Sequence, residues 1–264
     1  MSLLRLATLF GIVFALWPLA LATRLIAALG ARGPAMRGGA RVQALWARVS
    51  LPVLGVELDC PAPPPEGTML VCANHLGYLD VFVLGALFPG RFVAMHEISG
   101  WPLLGWLARS TGTLFVDRER KRDVLAVGER MDETLAEGVS VVLFPEGRAG
   151  PGDALRPLKT PLFQGAARGG LPCLPVALAY ETPGHPFSPA WTVSWWGGMD
   201  LWKHLRRLLR LPRIRAVVRF DAEPVRADDR KELAELVRGR LEALGRRVPM
   251  QPEPPDNPWR GLEP

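Results

Sequence analysis

Three short runs of this sequence hold residues whose types and spacing could do chemistry. The first is Asn74-His75-Leu76-Gly77-Tyr78-Leu79-Asp80. A carboxylate that holds one imidazole nitrogen fixes the tautomer and leaves the other nitrogen free to take a proton, which is the build of a general base. On a continuous helix, residues five apart point about 140° from each other, so His75 and Asp80 meet only if the chain folds back, a turn that Gly77 would permit. The alternative keeps them apart, with Asp80 as a helix N-cap and His75 as a loop residue. On spacing alone the second reading is the favoured one. The second run, Gly112-Thr113-Leu114-Phe115-Val116-Asp117-Arg118, reads as a short strand that delivers Arg118 at its end. A guanidinium there can hold a phosphate or carboxylate through two parallel bonds, or it can be a surface arginine in the charged run that follows. In the third run, Phe144-Pro145-Glu146-Gly147-Arg148, Pro145 and Gly147 turn the backbone around a lone carboxylate. Its plainer reading is a polar turn.

All three runs sit where predicted strands end. Apolar stretches predict strands at Met69–Ala73, Arg91–Met95, Ser140–Phe144, Cys173–Tyr180 and Ile214–Phe220. Helical periodicity falls between them, at Asp80–Phe88, Asp123–Glu137 (closed by Gly138), Thr160–Arg168 (closed by Gly169 and Gly170) and Asp228–Leu244. Strands alternating with helices predict an α/β fold with an open, mostly parallel sheet flanked by helices, whose ligands lie beyond the carboxyl ends of the strands. Gly30–Gly39 reads as a flexible connection, Pro61–Gly67 as a turn-rich break, and the chain from Pro249 as an irregular Pro-rich tail. These marks divide the chain into an N-terminal helical segment (1–60), an α/β domain (61–248) and a tail (249–264).

The N-terminal segment bears on location. Leu6 to Thr23 carries no charge, and as a helix it would reach roughly 27 Å, near the thickness of a bilayer's hydrocarbon core. Pro18 allows a kink, so a membrane-anchoring helix that spans and a hairpin that re-enters are both open. Ala20-Leu21-Ala22 resembles a signal-peptidase site, but the apolar character continues past it and Ala40–Val56 is again amphipathic. The formal charge of +6 and the excess of Arg over Lys favour anionic partners. No nucleic-acid motif accompanies that charge, which leaves membrane surfaces and phosphate-bearing molecules. Three cysteines, Cys60, Cys72 and Cys173, form no C-x-x-C and cannot all pair, as expected in a reducing compartment.

Taken in order, N-H-x4-D at Asn74–Asp80, G-x-x-F-V-x-R at Gly112–Arg118, F-P-E-G at Phe144–Gly147 and the apolar Pro-containing block Leu171–Leu178 resemble the glycerolipid acyltransferase family that includes 1-acylglycerol-3-phosphate acyltransferases. The resemblance covers Thr68 to Tyr180. It implies that His75 is a general base and Asp80 its support, and that Arg118, Glu146, Gly147 and Arg148 position the acceptor's polar head; the Leu171–Leu178 block, read from its apolar residues, is structural or the lining of an acyl slot. It implies an acyl-ACP (acyl-carrier protein) or acyl-CoA donor and a lysolipid acceptor, with no metal, no cofactor and no nucleic-acid partner. It also implies an inner-membrane enzyme of phospholipid biosynthesis, its catalytic domain on the cytoplasmic face.

The sequence departs from the family pattern in three places. Leu76-Gly77-Tyr78 replaces the usual Ser or Thr after the histidine, Arg148-Ala149 replaces Thr then Arg, and Met95-His96 stands where many phosphatidate-forming members carry Lys. Trp195 to Leu205 resembles the W-x-G-x-M-x-x-x-x-H-L segment of lyso-ornithine lipid acyltransferases. The expected acceptor is 1-acylglycerol-3-phosphate, with lyso-ornithine lipid as the alternative. A non-catalytic membrane lipid-binding protein is the rival from another class, and a hydrolase using His75 on water is a third. The helix expected at Leu201–Leu211 either packs as an ordinary amphipathic helix or lies in an anionic interface.

Overall fold

The computed structural model describes residues 2–101, 104–117 and 120–245. Arg118 and the tail from 249 therefore lie outside the described residues. Two long helices open the chain, α1 (Ser2–Ala28) and α2 (Arg32–Leu54). At 1.5 Å per residue α1 is about 40 Å long, and it runs unbroken through Pro18. The chain reverses not at Pro18 but at Gly30, whose φ of 89° suits the turn.

The stretch Gly30–Gly39, expected to be flexible, is largely the first turns of α2. The glycines inside the helix serve contact rather than freedom. A Cβ on Gly39 would lie 3.1 Å from the Thr111 carbonyl oxygen, so the missing side chain lets the helix backbone approach its neighbour. α1 lies alongside the rest of the molecule. Val13 packs against Trp46, Trp17 meets Trp106 edge-on at 4.8 Å, and Arg5 donates to the Leu209 and Leu211 carbonyls. Its other face leaves Leu3, Leu4, Phe10, Phe14, Leu21 and Leu25 exposed.

The remaining elements follow in chain order: β1 (Val56–Asp59), β2 (Leu70–Ala73), α3 (Leu79–Leu87), β3 (Gly90–Met95), α4 (Leu104–Thr111), β4 (Leu114–Val116), α5 (Lys121–Ala136) and β5 (Ser140–Leu143). After these come α6 (Gln164–Arg168), β6 (Cys173–Glu181), α7 (Pro189–Thr192), α8 (Leu201–Leu208), β7 (Ile214–Phe220) and α9 (Arg230–Gly245). The seven strands form one sheet in the order β1-β7-β6-β2-β5-β3-β4. Every neighbouring pair is parallel except β6 with β7. β1, which lies within the segment 1–60, belongs to this sheet.

Period-two alternation divides the core between the two faces of the sheet. Val71, Ala73, Val142 and Val176 pack with Leu51, Leu54, Val83, Leu84 and Leu208 from α2, α3 and α8. On the opposite face, Leu70, Cys72, Val141 and Leu143 pack with Met131, Leu135, Leu233, Val237 and Leu241 from α5 and α9. Burial on both faces explains why β2 and β5 read as unbroken apolar runs. Cys72 and Cys173 are buried, free thiols in this interior, and burial followed by their mutual proximity pushes the Cys72 thiol well up.

Candidate active site

The carboxyl ends of β2 and β5 face the same space. Leaving β2, Asn74 pairs with the Leu178 backbone, its amide donating to the carbonyl at 2.8 Å and its carbonyl accepting from the amide at 2.7 Å. The next residues fold back on Asp80, at the first turn of α3. Asp80 is fully buried. Its Oδ2 accepts from the Leu76 and Gly77 amides at 2.6 and 3.0 Å and lies 2.8 Å from His75 Nδ1. Its Oδ1 accepts from the Tyr180 hydroxyl at 2.7 Å. Burial, and after it the Asp80 charge, pushes the Tyr180 phenol well above its ordinary pKa, so it remains a donor.

The five-residue spacing therefore does bring His75 and Asp80 together. Gly77 is needed for a different reason from the one its position suggests. Its φ of 158° is near extended, but a Cβ there would lie 2.7 Å from the Trp195 nitrogen. That nitrogen donates to the Leu76 carbonyl at 2.8 Å. The glycine makes room for a distant strip of backbone that ties the loop down.

The His75 ring stacks on Phe144, with centroids 4.0 Å apart and planes 18° from parallel. Its side chain is 20% exposed. Among the described residues nothing bonds to its Nε2, so that nitrogen is available to a ligand.

The turn after β5 directs its carboxylate inward. Glu146 Oε1 accepts from the His75 amide at 2.8 Å and Oε2 from the Arg156 amide at 2.9 Å. Burial raises the Glu146 pKa, and those two amides partly offset the rise. Gly147 takes a φ of 79° and gives its amide to the Phe144 carbonyl at 3.0 Å. Arg148 is exposed and lines neither of the cavities described below. Glu146 and Gly147 are thus brought to His75 as braces of backbone, and Arg148 is not brought to it.

Sequence reasoning passed over three residues here. Asn74 was seen only as part of a motif, and Tyr180 only as part of a strand. Tyr78 completes the set, its hydroxyl lying 2.9 Å from Nδ1 of the buried His204. A signal for two of them was present, since the chain has two tyrosines in all and both converge on this loop. His204 is held down to a pKa of about 4 by burial, with the Ser194 backbone giving a partial offset.

Two cavities meet at His75. The larger, about 640 Å³, runs between Trp46, Tyr78, Phe82, Phe92, Met95, Trp101, Phe144 and Trp195, with Lys159 and Arg230 also on its wall. It is mostly apolar and within the usual range for small-ligand sites. The smaller, about 470 Å³, is bounded by Asn74, Glu146, Asp153, Leu178, Leu241 and Glu242. Of the apolar block read as structural or as the lining of an acyl slot, Ala177 and Leu178 line this smaller cavity, while most of the block is core strand β6.

A mostly parallel α/β sheet that holds an imidazole–carboxylate pair beside an apolar cavity has the architecture of an enzyme handling lipid-like substrates by base catalysis. Comparison with known proteins makes the class particular. A family model described as acyltransferase matches residues 58–179. A lyso-ornithine lipid O-acyltransferase of Pseudomonas aeruginosa is 35% identical over 215 residues, 80% of this chain and 81% of that protein. A 1-acyl-sn-glycerol-3-phosphate acyltransferase of Neisseria gonorrhoeae is 41% identical over 127 residues, 48% of this chain, and the match spans 50% of that relative's length. In fold, the chain resembles the crystal structure of the 1-acyl-sn-glycerophosphate acyltransferase PlsC from Thermotoga maritima, with a TM-score of 0.59, 18% identity, and coverage of 94% and 96% of the two chains. The chain belongs to this acyltransferase family.

Proposed function

We propose that the protein transfers a fatty acyl group from an acyl thioester, carried on acyl-carrier protein or coenzyme A, to the free hydroxyl of a lysolipid. The observation that carries this reading is the Asp80-held His75, with its Nε2 open where the two cavities meet. His75 Nε2 takes the acceptor's hydroxyl proton as the oxygen attacks the thioester carbonyl carbon. The carbon–sulfur bond then breaks, and the departing thiolate receives that proton to leave as a thiol. Asp80 stabilises the imidazolium formed in between, a transfer worth roughly 10²–10⁴-fold in rate. Tyr180 and the two loop amides hold Asp80, and Glu146 holds the backbone of His75. Arg118 is proposed on its motif position alone as the group that holds the acceptor's head. The apolar cavity is proposed as the site for an acyl chain.

For the acceptor we favour lyso-ornithine lipid over 1-acylglycerol-3-phosphate. The support is that a relative named for it aligns over four-fifths of both chains. The segment resembling that branch also packs directly on the catalytic loop, through Trp195 at Gly77 and His204 at Tyr78. We place α1 in the membrane interface with its exposed apolar face in lipid, since both it and α2 lie along the domain. The helix is long and apolar enough to cross a bilayer, with a mean hydropathy of 2.0. The domain is proposed to face the cytoplasm, where acyl thioesters are made.

The deciding experiment offers the purified protein acyl-ACP and acyl-CoA, each with lysophosphatidate and with lyso-ornithine lipid. Transfer to lyso-ornithine lipid that is lost in His75→Ala supports the proposal. Transfer to lysophosphatidate alone replaces the acceptor, and release of free fatty acid without acceptor replaces transfer by hydrolysis. No turnover with any pair, by wild type or variant, leaves a lipid-binding protein.

A further inference from the structure

One surface next to the site has no part in it. Trp202, Lys203 and Arg206 lie on α8, and Arg210 lies in the turn that follows its last residue, Leu208. At about 100° per residue, the three side chains on the helix fall within roughly a quarter of its circumference. All four are exposed, Trp202 to 55%. The opposite side, His204 and Leu208, is buried.

The basic face is not neutralised from nearby. Among the described residues no carboxylate pairs with Lys203, Arg206 or Arg210. The adjacent Asp200 caps the helix instead, accepting from the Lys203 amide at 2.7 Å. The guanidinium of Arg207, on the flank, is pushed down in pKa by partial burial and then by Arg206 and Arg210. Positive charge is massed here against its own repulsion.

The start of α1 touches the end of this helix. Arg5 reaches the carbonyls of Leu209 and Leu211 at 3.1 and 2.9 Å, and the exposed Leu3, Leu4 and Phe10 lie on that same stretch of α1. An exposed indole among cations, continuous with an unpartnered apolar helix face, matches the layering of a lipid interface: acyl chains, then aromatic rings, then phosphates.

We propose that the outer face of α8 docks on an anionic phospholipid surface, with Lys203, Arg206 and Arg210 at the headgroup phosphates and Trp202 at the interface, as a second membrane contact beside α1. The proposal rests on the membrane placement above, but its test does not depend on acyl transfer. An acidic carrier protein would also be drawn to these cations. It would have no use for Trp202 or for the apolar flank, and so the bilayer is the occupant the surface favours.

The test is flotation of the full-length protein with phosphatidylcholine vesicles, made with and without phosphatidylglycerol. The wild type is expected to float better with the anionic vesicles, and added salt should erase the difference. Removing a cation near such a surface costs roughly fivefold in partitioning, so Lys203→Gln, Arg206→Gln and Arg210→Gln together should weaken the anionic excess on the order of 100-fold. Trp202→Ala should weaken binding to both vesicle types. Circular dichroism and transfer to detergent-dispersed acceptor should not change in either variant, which separates lost docking from lost fold or lost chemistry. Equal flotation of wild type and the triple variant on anionic vesicles overturns the proposal. Unchanged flotation with a raised KM for acyl-carrier protein overturns it in favour of a protein partner.

Discussion

Two buried carboxylates stand at the ends of neighbouring strands, and they do opposite work. Asp80, after β2, offers one oxygen to a tyrosine and the other jointly to two amides and an imidazole. Glu146, after β5, offers both oxygens to backbone amides and none to a side chain. Both sit within hydrogen-bond reach of His75, one at its ring and one at its main chain. Position near a reactive group is therefore a poor guide to role, whereas the identity of the bonded atom is a good one. A carboxylate on the ring can alter proton affinity along the reaction coordinate, and a carboxylate on an amide can only hold the loop still.

Substitutions can break or sharpen this contrast. The largest effect is expected from His75→Ala, which should lower kcat for acyl transfer by roughly 10²–10⁴-fold while leaving the melting temperature nearly unchanged, because the side chain is partly exposed and its backbone contacts survive. Asp80→Asn comes close behind. The amide can still accept from the loop, with the bond to Tyr180 reversed so that its NH2 donates to the hydroxyl, but it carries no charge to support an imidazolium. A loss of up to about 10⁴-fold in kcat with little change in KM is expected, and a loss smaller than that of Glu146→Gln would refute the division of labour.

The site also has a titrating support. Unfolded, His204 titrates near 6.5; folded, it titrates at about 4. Between those values the unfolded chain binds more protons, so stability should fall as pH drops from about 6.5 to about 4, by ~3 kcal/mol at the bottom of the window. Urea unfolding at a series of pH values should show the slope, and His204→Asn, which keeps an acceptor for Tyr78 without the titration, should flatten it. The smallest effect on rate belongs to Glu146→Gln. One backbone amide would then face an NH2 group, at a cost of about 1–3 kcal/mol in stability with less than a tenfold change in kcat. A collapse of kcat at unchanged stability would move Glu146 into the chemistry.

The sequence already showed the alternation of strands and helices and the motif positions, because burial on both faces writes itself into apolar runs such as Ser140–Leu143. It did not show what depends on distant backbone. Gly77 suggested a turn, yet the constraint is the approach of Trp195, more than a hundred residues away. Pro145 and Gly147 suggested a turn around a lone carboxylate, yet the partners that fix where it points are the amides of His75 and Arg156. Gly33, Gly38 and Gly39 suggested slack chain, yet they allow a helix to lie against its neighbours. β1 and α4 escaped notice because each is short, and β1 lies at the sheet edge, where polar residues such as Glu57 and Asp59 dilute the pattern.

His75 belongs to the walls of both cavities, so on the proposed chemistry a substrate lying in each would have its reacting end at the same imidazole. On the proposed chemistry the two substrates need not take turns in one room. Their order of arrival would be free, and the enzyme would carry no acyl group between half-reactions. Initial-rate lines measured against each substrate should then intersect, and labelled carrier thiol should not exchange into the thioester until the acceptor is present.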